Sequence, residues 1–488
     1  MKKKPNIIIL NPDEMRWNTM GHMGNPAAST PRLDAFAESD AVSFENAYCQ
    51  NPVCVPSRCS FLTGLYPHVH GHRTMHYLMH DGHDTLFSEL RAGGYNVWMN
   101  ARNDFIAGNV PGLMATQFDE IRMPEKSLTG RHEIIKGFPY SHYIGVIGEV
   151  KADIDDTLAA CARIRRQKPG DDPLCLFIGW ANPHVPYVTD KEHYDRIDPE
   201  KIEERVHFKD TEGKSEMIRR LREFADLGSF SEEQWKEVQR VYLAQCSYID
   251  DQFGMIIDAL KEAGIYDDSV IFFLSDHGDF AGDFDLPEKA QNSFEDVLTR
   301  VPLLIKPPKG ETVSPGITAS LAELVDFYAT VMDYAGVTPA HDHFGVSLRP
   351  VIEHRENKVR EYAFCEGGRR ASEKQADEYH KYGENGPART HDYWAKMNAE
   401  ADDEAHAKGT MVTDGKYKYV LRLGGRDEFY DLEKDPKEMI NRIDCEEYAA
   451  KILDLKLQLL SWYQETCDVV PKAYDSRSLT KDSITPAE

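Results

Sequence analysis

Three things are scarce in this 488-residue chain. Cysteine is scarce: nine in all, an odd number. That is far from the density of a disulfide-stapled scaffold, and it points to reduced, mostly buried thiols. Long apolar runs are missing, and no stretch approaches the ~20 residues of a membrane-spanning helix. Basic residues are outnumbered, with 57 Lys plus Arg against 82 Asp plus Glu and a net charge of −25. A binder of nucleic acid needs net or local basicity, and so does a polybasic membrane-surface protein; both classes are excluded. The start, Met1-Lys2-Lys3-Lys4, resembles the basic end of a signal peptide. The apolar run behind it is four residues long and ends at Asp13 and Glu14, too short for a leader. The expectation is therefore a cytoplasmic protein.

What is present is an ordinary globular composition, 41% hydrophobic and 28% charged. Short continuous apolar runs at 6–10, 95–99, 174–180, 269–274 and 302–305 read as buried strands. Helical patterns lie between them: one opened by Thr30-Pro31, one near 56–65, then 85–93, 152–166 and 231–264. Alternating strands and helices over about 330 residues predict an α/β fold with a large, mostly parallel sheet. The character changes after about residue 355. Strand-like runs at 361–365, 409–413, 416–423 and 428–432 and a helix over 446–465 predict a small antiparallel sheet plus helix. The expected division is a catalytic domain over 1–355 and a smaller α+β subdomain over 356–488.

Ligands in open α/β sheets bind at the carboxyl ends of the strands. Four predicted ends carry chemistry here: Asp13-Glu14; Arg102-Asn103-Asp104; Asn182-Pro183-His184; and Ser275-Asp276-His277-Gly278. Asp13, Glu14 and Asp276 offer the oxygen ligands of a hard divalent cation, and His277 could add a nitrogen. Cys54 precedes Pro56 at the start of a predicted helix, where anions are favoured and a thiol pKa falls. Arg58 follows one turn later, placed to hold an oxyanion. Cys49 and Cys59 read as core thiols. Six histidines crowd residues 68–83. A zinc or proton-relay site competes there with a loop bordering the pocket, in which His70 or His72 alone acts; the loop is the expectation. Asp279, Asp283 and Asp285 are expected to flank the cation loop without binding the ion.

The run Cys54-Val55-Pro56-Ser57-Arg58, with Leu62-Thr63-Gly64 behind it, resembles the signature of the type I sulfatases of the alkaline phosphatase superfamily. Gly94-Tyr95, Pro183-His184-Val185-Pro186, Ser275-Asp276-His277-Gly278 and the segment from Phe429 to Pro436 follow in the family's order, so the resemblance covers nearly the whole chain.

The resemblance implies an alkaline phosphatase-like fold and oxidation of Cys54 to Cα-formylglycine by a maturase. One hydroxyl of its hydrate attacks sulfur, and the other expels the sulfate. By the same resemblance, Asp13, Glu14, Asp276 and His277, with the modified Cys54, hold the metal, taken as Ca²⁺ with Mg²⁺ or Mn²⁺ as alternatives. Arg58 holds the hydrate. His184 contacts sulfate and protonates the leaving oxygen, and Lys289 binds a sulfate oxygen.

The family's Gly-Lys is here Ala101-Arg102, its following histidine is Asp104, and His277 stands where Asn is common. Elimination then falls to Asp104 or His70. Arg102, Asn103 and Arg369 join His184 and Lys289 as candidate substrate contacts. The expected substrate is a small sulfated mono- or oligosaccharide, and a homo-oligomer is left open. One alternative is a phosphodiesterase or phosphonate monoester hydrolase of the same superfamily. A non-catalytic relic is opposed by the joint presence of Cys54, Arg58, His184 and Lys289.

Overall fold

The computed structural model describes residues 4–80, 82–100, 102–123, 143–225, 230–371, 373–374, 394–470 and 477–478. The apolar runs form strands, and fourteen are named here in chain order. They are β1 (Asn6–Asp13), β2 (Val42–Tyr48), β3 (Asn96–Asn100), β4 (Glu120–Arg122), β5 (Tyr143–Ile147), β6 (Leu174–Pro183) and β7 (Tyr187–Asp190), followed by β8 (Ser269–Leu274), β9 (Leu303–Lys306), β10 (Gly316–Glu323), β11 (Ala363–Gly367), β12 (Gly409–Thr413), β13 (Tyr417–Arg422) and β14 (Glu428–Asp431). Eight build the main sheet in the order β10-β2-β9-β8-β1-β6-β3-β4. Every pairing is parallel except the two made by β9. β1 lies central, Ile8 opposite Leu176 of β6 and Ile271 of β8. All eight of its residues are buried, which is why it reads as an uninterrupted apolar run.

Because side chains alternate along a strand, Ile7 and Ile9 feed one core layer and Ile8 and Leu10 the other. The long helix Glu232–Glu262 covers the second layer as one continuous element, opened by a Ser231–Gln234 capping box. β11 to β14 form the antiparallel C-terminal sheet, in sequence order. The helix Ala449–Thr466 packs on it through Leu455, Leu459 and Trp462. No helix among the described residues is long and apolar enough to cross a membrane.

Candidate active site

The site forms where β1 and β8 end side by side. Ser275 stitches the two ends together: its hydroxyl accepts from the Met15 amide at 2.8 Å and bonds the Pro12 carbonyl at 3.0 Å. The Glu14 amide donates to Asp276 Oδ1 at 3.1 Å. The helix Cys54–Thr63 meets these ends with its N-terminus, anchored by Ser57 Oγ donating to the Asp276 carbonyl at 2.6 Å. Cys54 Sγ then lies 3.2 Å from His277 Nε2 and 3.6 Å from Asp13 Oδ1.

Arg58 is completely buried between two carboxylates. Its Nη2 donates to Asp13 Oδ2 at 2.9 Å and its Nε to Asp276 Oδ2 at 2.8 Å. Arg102 reaches Asp13 from the β3 end, with Asp104 3.8 Å away from it. Burial alone would raise the Asp13 pKa, but Arg102 and Arg58 outweigh it and hold the carboxyl well below its usual range. The expected depression of the Cys54 thiol does not occur. Burial, reinforced by Asp13, pushes it well above the ordinary value, so an unmodified Cys54 sits as a neutral thiol.

On the other side, Lys289 Nζ donates to Glu14 Oε2 at 2.8 Å and to His184 Nε2 at 2.6 Å. His184 Nδ1 donates to the Val185 carbonyl at 2.6 Å, which leaves its Nε2 as the acceptor. Burial and the Lys289 charge hold His184 well below its usual pKa.

The donor set fits a hard divalent cation. Asp13, Cys54, Asp276 and His277 bring one ligand atom each within 4.8 Å of one another, and so do Asp13, Glu14 and His184. His277 Nδ1 donates to the Gly278 carbonyl at 2.9 Å, which orients Nε2 toward the cluster. Glu14 Oε1 is buried with no hydrogen-bond partner, the kind of orphaned oxygen that a cation satisfies. Arg58 Nη1 is likewise buried without a partner and remains as a donor for a bound group.

The other candidate residues are placed differently. Asn103 closes a turn, its Nδ2 donating to the Ile106 carbonyl at 2.6 Å. Arg369 is engaged with Asp403 at 2.8 Å and with the carbonyls of Arg370, Ala371 and Glu400. His70 ends the helix Pro67–His70, its ring 5.5 Å from that of His83 and 6.4 Å from that of His72. Ala101 lies outside the described residues. Cys49 and Cys59 are core thiols. Asp279 accepts from the Tyr187 hydroxyl, Asp283 pairs with Arg16, and Asp285 pairs with Arg205 and Arg222.

Sequence reasoning missed the residues that aim His184. Asp153 accepts from the Ala181 and Asn182 amides at 2.6 and 2.8 Å, and Gln245 donates to Asn182 Oδ1 at 2.9 Å. Nothing local marks either one, because each meets its partner only across the fold.

Residues 5–337 match the family model described as Sulfatase. An arylsulfatase of Clostridium perfringens is 26% identical over 92% of this chain and 92% of its own. An N-acetylglucosamine-6-O-sulfatase of Bacteroides thetaiotaomicron is 25% identical over 95% of this chain and 87% of its own. Among solved structures, a phosphonate monoester hydrolase of Agrobacterium radiobacter superposes with a TM-score of 0.74, covering 95% of this chain and 96% of that one; at 21% identity the likeness concerns the fold. The chain belongs to the sulfatase family, with its alkaline phosphatase-like fold. It is a sulfuric ester hydrolase.

Proposed function

We propose that this sulfatase hydrolyses a sulfate ester on a small sulfated sugar, with position 54 acting as formylglycine. The observation that carries the reading is the placement of Cys54 at a helix N-terminus, in contact with Asp13 and His277 and one turn from Arg58. As a hydrated aldehyde, position 54 supplies an oxygen nucleophile where a buried thiol supplies none. Asp13, Glu14, Asp276 and His277 would hold the cation, taken as Ca²⁺, which supplies charge stabilisation to the sulfate oxygens.

The chain's own residues do the rest. Arg58 orients Asp13 and Asp276 and helps hold Asp13 ionised, and its spare Nη1 remains a donor for the bound group. Arg102 holds Asp13 from the solvent side. The proton for the leaving sugar oxygen is held between Lys289 Nζ and His184 Nε2, 2.6 Å apart.

The carbohydrate assignment draws on the N-acetylglucosamine-6-O-sulfatase relative. Residues 1–355 form the catalytic domain in this reading, and 356–488 complete the cleft. All nine cysteines are free, which supports a reducing, cytoplasmic setting.

The test is the mass of the peptide bearing position 54 after co-expression with a formylglycine-generating maturase, paired with sulfate release from defined sulfated mono- and disaccharides. An unconverted cysteine together with no turnover of any sulfate ester overturns the reading. The fold likeness to the phosphonate hydrolase names the competing activity. Faster release of phosphate than of sulfate from matched aryl esters would establish that one instead.

A further inference from the structure

Two buried tyrosines stand behind the side chains that hold the leaving-group proton. Tyr187 opens β7, three residues after His184. Tyr242 lies inside the long helix Glu232–Glu262, and the two rings meet edge to face at 6.1 Å. Each hydroxyl grips the backbone on one side of the Lys289–Glu14 ion pair. Tyr242 donates to the Glu14 carbonyl at 2.7 Å and accepts from the Arg16 amide at 2.9 Å. Tyr187 accepts from the amide of Glu288, the residue before Lys289, at 2.8 Å.

The backbone that Tyr187 holds is not in a relaxed state. Glu288 has a φ of 59°, a left-handed conformation that a residue with a side chain rarely adopts. Two hydrogen bonds pin it: its amide to the Tyr187 hydroxyl, and its carbonyl to the Phe280 amide at 2.8 Å. A phenol has one proton to donate and lone pairs with which to accept. Tyr187 donates its proton to Asp279, with Oδ1 at 2.8 Å and Oδ2 at 3.1 Å, which leaves the lone pairs for Glu288. Asp279 is itself fixed, its Oδ1 accepting from the Ala281 amide at 2.6 Å. Tyr187 and Asp279 are completely buried, so bulk water cannot replace a partner lost here.

We propose that Tyr187, oriented by Asp279, is the positioning residue for Lys289. It fixes the turn at 288–289 so that Lys289 Nζ stays within hydrogen-bond distance of His184 Nε2. It acts through that pair and is not itself a catalytic group. The inference rests on the sulfatase reading above, and on its assignment of the leaving-group proton to Lys289 and His184.

Proton delivery matters most when the departing oxygen is a sugar alkoxide and least when it is an acidic phenolate. The test therefore compares two esters on the matured full-length enzyme: a hexose sulfate and the sulfate of a nitrophenol. Tyr187→Phe keeps the ring and removes only the hydroxyl. It is expected to lower kcat/KM for the hexose sulfate roughly 10- to 100-fold, and that for the nitrophenyl ester by less than about 3-fold. An equal loss on both esters would make the hydroxyl a general structural prop, and no loss on the hexose sulfate would show that Lys289 holds its place without it. Either result overturns the proposal. His184→Ala reports on the reading beneath it. If that variant does not discriminate between the esters, the assignment of the proton fails. If it does and Tyr187→Phe does not, the positioning role alone fails.

Discussion

His341 presents both ring nitrogens to acceptors: Nδ1 to Glu89 at 2.8 Å and Nε2 to the carbonyl of Thr63 at 2.6 Å. Thr63 is the last residue of the helix that begins at Cys54, so the ring braces the far end of the nucleophile's own element. Burial alone would lower its pKa, but Glu89 and the Thr63 carbonyl outweigh burial and raise it above 6.5. A group with a raised folded-state pKa stabilises fully below its unfolded value and loses that contribution as pH rises through the folded one. The stability gap between wild type and His341→Gln should therefore be widest below pH 6.5 and close above it. Denaturant melts across that range measure this, and a gap that stays constant with pH would refute it. Cys54 shows the converse at residue scale. Its place at a helix start argued for a lowered thiol pKa, and its complete burial beside Asp13 reverses the sign.

At the scale of elements, the metal-ligand loop depends on one missing Cβ. Gly278 follows His277, and its amide donates to the Leu298 carbonyl at 2.8 Å. A Cβ there would lie 2.0 Å from the Val297 carbonyl oxygen, a backbone atom that cannot swing aside. Gly278→Ala should push the loop off residues 297–298 and carry Asp276 and His277 with it. Sub-ångström to 1 Å displacements of such groups cost about 10²-fold in rate. Sulfate release by the matured variant checks this, and activity within a few-fold of wild type would show that the loop has slack. Most elements were legible in the sequence. β1, β3, β6, β8 and β9 declared themselves as apolar runs, and the hairpin between β12 and β13 as Asp414-Gly415. β2, β4, β5 and β7 did not; VSFENAY of β2, for one, is interrupted by Glu45 and Asn46. β10 did not, because GITASLAE is mostly small and polar and its pairing with β2 is irregular. Nor did the reversed direction of β9, since strand polarity is a property of pairing and leaves no local pattern.

At the scale of the whole molecule, the C-terminal sheet is bolted on through buried charge. Lys418 of β13 is fully buried and contacts Asp296 and Glu438, each at 2.5 Å, and the Phe294 carbonyl at 2.8 Å. Asp296 keeps Arg300 at 3.1 Å, so loss of the lysine falls chiefly on Glu438. Breaking one partner of a buried ionic group costs about 3–5 kcal/mol, whereas neutralising the whole group is often tolerated. Lys418→Met should destabilise by that amount in chemical denaturation, and the double variant Lys418→Met, Glu438→Gln, which leaves Asp296 to Arg300, should recover most of it. A double variant no more stable than the single one would contradict this account.

The sequence alone determined which strand ends carry carboxylates, a histidine or an arginine, and which helix start carries Cys54 and Arg58. Those facts follow from hydrophobic period and local turn chemistry, which act over a few residues. Only the tertiary structure decided that Arg58 lies between Asp13 and Asp276, that Lys289 joins Glu14 to His184, and that Asp153 and Gln245 aim the histidine loop. These pairs are separated by dozens to hundreds of positions in the chain. Their energies arise only once burial removes water and brings the charges within a few ångströms.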